Sequence, residues 1–90
     1  MRRKYRSQAS IILDVLEAMN RDVRITEIMT KANLPYDRLK EILNHLLEKK
    51  LVEARKLGDS PLYSITLEGM KVRNELRKLR RLFDELGLTL

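Results

Sequence analysis

The 90-residue chain contains no cysteine and a single histidine, His45. Disulfides and thiolate metal sites are therefore excluded, and one imidazole cannot hold a metal alone. The composition fits a reducing, cytoplasmic setting. There is no Gly-rich phosphate loop, the serines lack a histidine in sequence context, and the carboxylates are spread along helix faces. No catalytic constellation results, so the chain is not expected to be an enzyme or to need a cofactor. No apolar run approaches the roughly 18 residues of a membrane span. The first apolar stretch, "SIILDVLEAM", is broken by Asp14 and Glu17, which argues against a secretory signal. Neither a membrane partner nor a small-molecule ligand is evident.

A chain this short buries only a modest core, and with disulfides and metals removed the remaining support is a second subunit. Charge is abundant: 19 basic and 13 acidic residues give a net charge of +6. Four of the basic residues, Arg2, Arg3, Lys4 and Arg6, crowd the N-terminus, leaving 15 against 13 in the remainder. A basic arm on a nearly balanced body points to a polyanion, nucleic acid before a membrane surface. A merely solubilising tail would have the same composition.

Hydrophobic spacing orders the elements. Ile12, Val15, Leu16 and Met19 recur as one helix face, widened by Ile11 and Leu13. Val23, Arg24 and Ile25 alternate briefly, as a very short strand would. Thr26 is the expected N-cap of a second helix with Ile28, Met29 and Ala32 inward, and Asn33 suits its left-handed stop. Pro35 requires a new start, and Leu39, Ile42, Leu43, Leu46 and Leu47 form the stripe of a third helix ending near Lys49. Lys50 then falls where a helix stop favours glycine. "LVEARK" and "LYSIT" alternate about the turn residues "LGDSP", predicting a hairpin with a moderate loop. Thr66 caps a last helix running to about Leu86, closed by Gly87. Leu67 and Met70 are expected to pack that helix on its own domain.

This order is mainly α with a small β-hairpin, the layout of a winged helix-turn-helix, in which the third helix enters the major groove. The domains expected are a flexible basic arm (1–6), the winged helix-turn-helix domain (7–66) and a C-terminal dimerisation helix (67–90). On the third helix, Arg38, Lys40 and Asn44 suit a groove reader, and Tyr36 can reach a phosphate or a base edge. Asp37, Glu41 and Glu48 share the exposed side, which an ordinary solvated helix would also carry. Arg55 and Lys56 lead into the wing tip. His45 suits a surface position or a phosphate contact.

In the last helix Val72, Leu76, Leu79, Phe83 and Leu86 repeat at 4, 3, 4, 3 spacing, the 3.5-residue period of a coiled coil. Lys71, Arg73, Arg77, Lys78, Arg80 and Arg81 precede Asp84 and Glu85. An antiparallel pair centred near Leu79 sets those acids against Arg73 and Asn74 of its mate, whereas a parallel pair stacks like charges. An antiparallel coiled-coil homodimer follows.

The segments "ANLPYDRLKEILNHLLEKKLVE" and "YSITLEGMKVRNELRKLRRLF" resemble the small archaeal winged-helix DNA-binding proteins of the Sulfolobus ten-a family, over about Ser7 to Leu86. The most telling pieces are Ala32-Asn33-Leu34, Tyr36, and Tyr63 to Gly69. Pro35 stands where that family has a capping serine, and Lys50 where it usually has glycine. The resemblance implies a dimer joined by its C-terminal helices, binding double-stranded DNA as a nucleoid-associated chromatin protein or a transcriptional regulator. Two other classes stay open on the residues alone, a protein–protein interaction module and an RNA-binding protein.

Overall fold

The structure, a computed structural model, describes residues 6–90. Ser7 opens the first helix, α1 (Gln8–Glu17), its hydroxyl accepting from the Ser10 amide at 3.0 Å. The chain then turns over residues 18–21. Val23 exchanges both backbone hydrogen bonds with Tyr63, at 3.0 and 2.7 Å, so the expected tiny strand is a single bridge on the hairpin's edge. That bridge holds the backbone extended through Arg24, and α2 (Ile25–Ala32) therefore begins at once. Thr26, expected as the cap, lies inside the first turn, where its carbonyl accepts from the Thr30 hydroxyl at 3.1 Å.

Pro35 precedes α3 (Tyr36–Glu48) as its N-cap, where a missing N–H costs nothing, and its carbonyl accepts from Leu39 at 3.0 Å. Three helix ends share one device. A left-handed residue is followed by a leucine whose amide reaches a carbonyl five residues back: Asn33 with Leu34 to Met29 (3.1 Å), Lys50 with Leu51 to Leu46 (2.9 Å), Gly87 with Leu88 to Phe83 (2.8 Å). Lys50, at φ 62°, does occupy the glycine-favouring position, at a cost of about 1 kcal/mol.

Strands β1 (Val52–Leu57) and β2 (Ser60–Ile65) pair antiparallel, Val52 with Ile65, Ala54 with Tyr63 and Leu57 with Ser60. The loop is tighter than expected. Gly58 and Asp59 alone make the turn, because Gly58 takes φ 70° and lets the strands pair up to it.

The last helix, α4 (Leu67–Glu85), starts from Thr66, whose hydroxyl oxygen accepts from Gly69 N at 3.0 Å and donates to the Lys50 carbonyl at 2.8 Å. Met70 and Val72 pack on the core, but Leu67 is 76% exposed, contrary to expectation. The inward place at this end of α4 belongs to Gly69, which alone permits so close an approach to Leu51.

One apolar cluster unites the domain. Val15, Leu16 and Met19 of α1, Val23, Ile28 of α2, Leu39 and Leu43 of α3, and Val52 and Tyr63 of the hairpin are all essentially sealed from solvent. Among the described residues no helix is long and apolar enough to cross a membrane.

Candidate nucleic-acid interface

Packing fixes what α3 can show. With Leu39, Ile42, Leu43 and Leu46 buried, the residues opposite are Asp37, Glu41, Asn44 and Glu48, all exposed. At 100° per residue, Arg38 and Lys40 flank this strip on opposite edges, roughly 160° apart. The two cations thus border the face, and Asn44 lies within it among the acids. Tyr36, 48% exposed, projects from the first turn. Among the described residues no side chain caps that turn, so its amides remain available to an acceptor, while Asp37 favours the positive end of the helix dipole.

The edges differ. Arg38 donates to Glu41 of the strip at 3.4 Å, one turn along the helix. Lys40 is half-buried on the edge nearer the hairpin, and its Nζ donates to the Tyr63 hydroxyl at 3.4 Å. On the wing Arg55 pairs with Asp22, Lys56 is exposed, and Leu57 stands 58% exposed beside the Gly58 turn. Arg24, which nothing in the sequence pattern singles out, is a strut between the start of α2 and the wing. Its guanidinium donates to the carbonyl (3.1 Å) and the hydroxyl of Ser60.

The expected basic arm falls mostly outside what the structure describes. Arg2, Arg3 and Lys4 lie outside the described residues, but Arg6 is anchored to the body. Its guanidinium donates to Asp14 (3.0 Å) and to the carbonyls of Ala32 (2.7 Å) and Asn33 (3.0 Å). The end of α2 offers unsatisfied carbonyls, and a half-buried arginine beside them is drawn in by both the acceptors and the dipole. Arg6 is thus part of the folded domain.

The expected seam on α4 also divides. Val72, Leu76 and Phe83 are half-buried, while Leu79, Leu82 and Leu86 are exposed at 3, 4 spacing, with Leu88 beyond. The cause is α1. Arg80 donates to Asp14 (3.2 Å) and to Ser10 through its hydroxyl (2.8 Å) and carbonyl (3.3 Å), and Arg77 forms a fork with Glu17, one arm at 2.8 Å. The Arg77 hydrogen bond holds the Glu17 carboxyl below its ordinary range against opposing desolvation, helped by the charges of Arg77, Arg73 and Arg80. Two of the basic residues of α4, Arg77 and Arg80, therefore bind α1 of their own chain. The sequence signal was available in Asp14 and Glu17, acids breaking an apolar stripe.

Among the described residues no group of His, Asp or Glu has metal-binding geometry. What remains is a surface formed by α3 and a two-stranded wing, on a domain whose second and third helices meet across a short turn. That arrangement defines a winged helix-turn-helix domain. A family profile described as winged helix-turn-helix matches residues 5–84, and the chain belongs to that family.

Comparison with solved structures gives the same fold. Sso10a-2, a DNA-binding protein from Sulfolobus solfataricus, superposes with a TM-score of 0.87 at 21% identity, covering 91% of this chain and 86% of that one. A possible HxlR family transcriptional factor from Thermoplasma volcanium gives 0.70 at 26% identity, over 88% and 72% of the two chains. The transcriptional repressor CouR, bound to a 23-mer DNA duplex, gives 0.67 at 22% identity, over 92% and 65%. No curated protein sequence matches the chain at a significant level.

Proposed function

We propose that the chain binds double-stranded DNA as a homodimer, with α3 in the major groove and the wing on the backbone. The observation that carries the reading is the division of labour on α3. A strip holding Asn44, suited to an adenine edge, is bordered on both sides by cations that suit the two phosphate walls of a groove. Asp37 and Glu41 can only accept, from the amino group of cytosine or of adenine, so they disfavour most sequences and favour some. Tyr36 and the uncapped first turn suit phosphate. Membership of the winged helix-turn-helix family agrees with this chemistry, as does the likeness to Sso10a-2, itself a DNA-binding protein.

The basic residues Arg2, Arg3 and Lys4 extend the electrostatic footprint, whereas Arg6 stabilises the domain. The second subunit is supplied by the exposed leucines of α4, in an antiparallel pairing through Leu79, Leu82 and Leu86 with Phe83 at the margin. Two reading domains on one rod gain affinity by effective concentration where both reach the duplex. The protein acts on chromosomal DNA, as an architectural protein or a regulator.

Gel shifts with a random-sequence duplex at low and moderate salt test the reading. Binding that weakens steeply with salt supports it. Absence of binding to duplex DNA, with capture of single-stranded RNA or of an acidic-face protein partner instead, overturns it.

A further inference from the structure

The cations near the reading face are not equivalent. Arg38 faces Glu41 and Arg55 faces Asp22, so each must give up a carboxylate before it can neutralise a phosphate. Lys40 makes no ion pair among the described residues, and its partner is the neutral hydroxyl of Tyr63. Resting on the duplex-binding reading, we propose that Tyr63 is a positioning residue that aims Lys40 at a backbone phosphate in the crease between α3 and the wing.

Tyr63 is suited to this by its immobility. It is 2% exposed in the core, its backbone is bonded on both sides to Val23, and it sits opposite Ala54 in the hairpin register. The hydroxyl therefore has a fixed place set by two strands. A lysine has four rotatable side-chain bonds, and ordering it on binding is an entropic cost that grows with its freedom beforehand. A neutral acceptor reduces that freedom while leaving the full positive charge for an anion, which a carboxylate partner would not do. The position on the edge of α3 that borders the hairpin, one turn before Asn44 and outside the centre of the exposed strip, makes a phosphate oxygen the matching ligand rather than a base.

The test compares wild type, Tyr63→Phe, Lys40→Met and the double variant, as full chains binding a random-sequence duplex across a range of salt. Lys40→Met should reduce the salt slope by about 0.9 for each domain that engages the duplex. Tyr63→Phe should weaken binding about threefold to tenfold, the scale of one hydrogen bond's net contribution, with the slope unchanged because the charge remains. The double variant should bind like Lys40→Met alone. A second readout needs no DNA: NMR relaxation of the Lys40 ammonium should show it restricted in wild type and freed in Tyr63→Phe. Wild-type affinity in Tyr63→Phe, additive losses in the double variant, or an ammonium equally mobile in both proteins would overturn the positioning role and leave duplex binding standing. Failure of the wild type itself to bind duplex removes the reading and the inference together.

Discussion

A Cβ placed on Gly69 would lie 2.0 Å from the Leu51 carbonyl oxygen and 2.7 Å from Cγ1 of Ile65. The first turn of α4 is pressed directly against the segment where α3 passes into the wing, and Thr66 fastens the same joint through the Lys50 carbonyl. Gly69→Ala forces that joint apart. A loss of about 1–3 kcal/mol is expected, as for overpacking elsewhere. At about 4–8 °C per kcal/mol for a domain of this size, the fall in Tm is easily measured. Gly58 provides the contrast, since among the described residues a Cβ there meets nothing within 4 Å and the positive φ is what opposes it. Thermal unfolding at one protein concentration should rank Gly69→Ala well below Gly58→Asn. Equal shifts would contradict so tight a joint.

The α1–α4 seam carries a pH signature. Glu17 is held below its ordinary pKa of 4.5, chiefly by the hydrogen bond from Arg77. A carboxyl whose pKa is lowered by folding contributes stability that is fully present above its unfolded value. That contribution is lost as pH falls through the lowered folded one. Urea unfolding of wild type and Glu17→Gln from neutral to acid pH should therefore show a wild-type advantage at pH 6 that fades below about 4.5. A difference constant across that window would mean that Glu17 contributes through packing alone.

The N-terminal basic residues should separate into two kinds. Removing residues 2–5 should flatten the salt dependence of DNA binding, by about 0.9 for each phosphate no longer neutralised, with little change in stability. Arg6→Ala should do the reverse. It leaves Asp14 and the carbonyls of Ala32 and Asn33 without their donor, so the domain should be less stable by about 1–3 kcal/mol with the slope nearly unchanged. Identical salt slopes for wild type and the truncated chain would exclude the arm from the interface.

Self-association through α4 is tested by Leu79→Glu and Leu82→Glu, both at exposed positions. Sedimentation should show each variant as a monomer with an intact helical spectrum, since neither side chain belongs to the core. Val72→Glu should instead unfold the domain, because Val72 packs on the core. A dimer persisting in both leucine variants would move the subunit contact elsewhere.

How much of the molecule was legible in its sequence follows from which forces are local. The stripe from Leu39 to Leu47, the left-handed stops at Asn33 and Lys50, and the Thr66 cap were all readable, because each is decided within a few residues. Thr26 misled as a cap because Arg24 is held extended by the neighbouring bridge from Val23 to Tyr63, a distant partner that no local propensity encodes. Arg6 misled for the same reason: its carbonyl partners lie at the end of another helix. On α4 the heptad spacing was real but ambiguous, since one helix face serves α1 and the neighbouring one is left exposed. On the candidate interface the residue types were visible, while the edge positions of Arg38 and Lys40 and the role of Tyr63 required the packed helix and hairpin.

The most direct measurement of duplex binding through α3 is an NMR titration of the isotope-labelled full chain with a random-sequence duplex at low salt. The largest shifts should fall on Tyr36, Arg38, Lys40 and Asn44 of α3 and on Arg55 to Gly58 of the wing, with the outer leucines of α4 unmoved. Shifts confined to α4 or to the outer face of α2, with α3 silent, would contradict it.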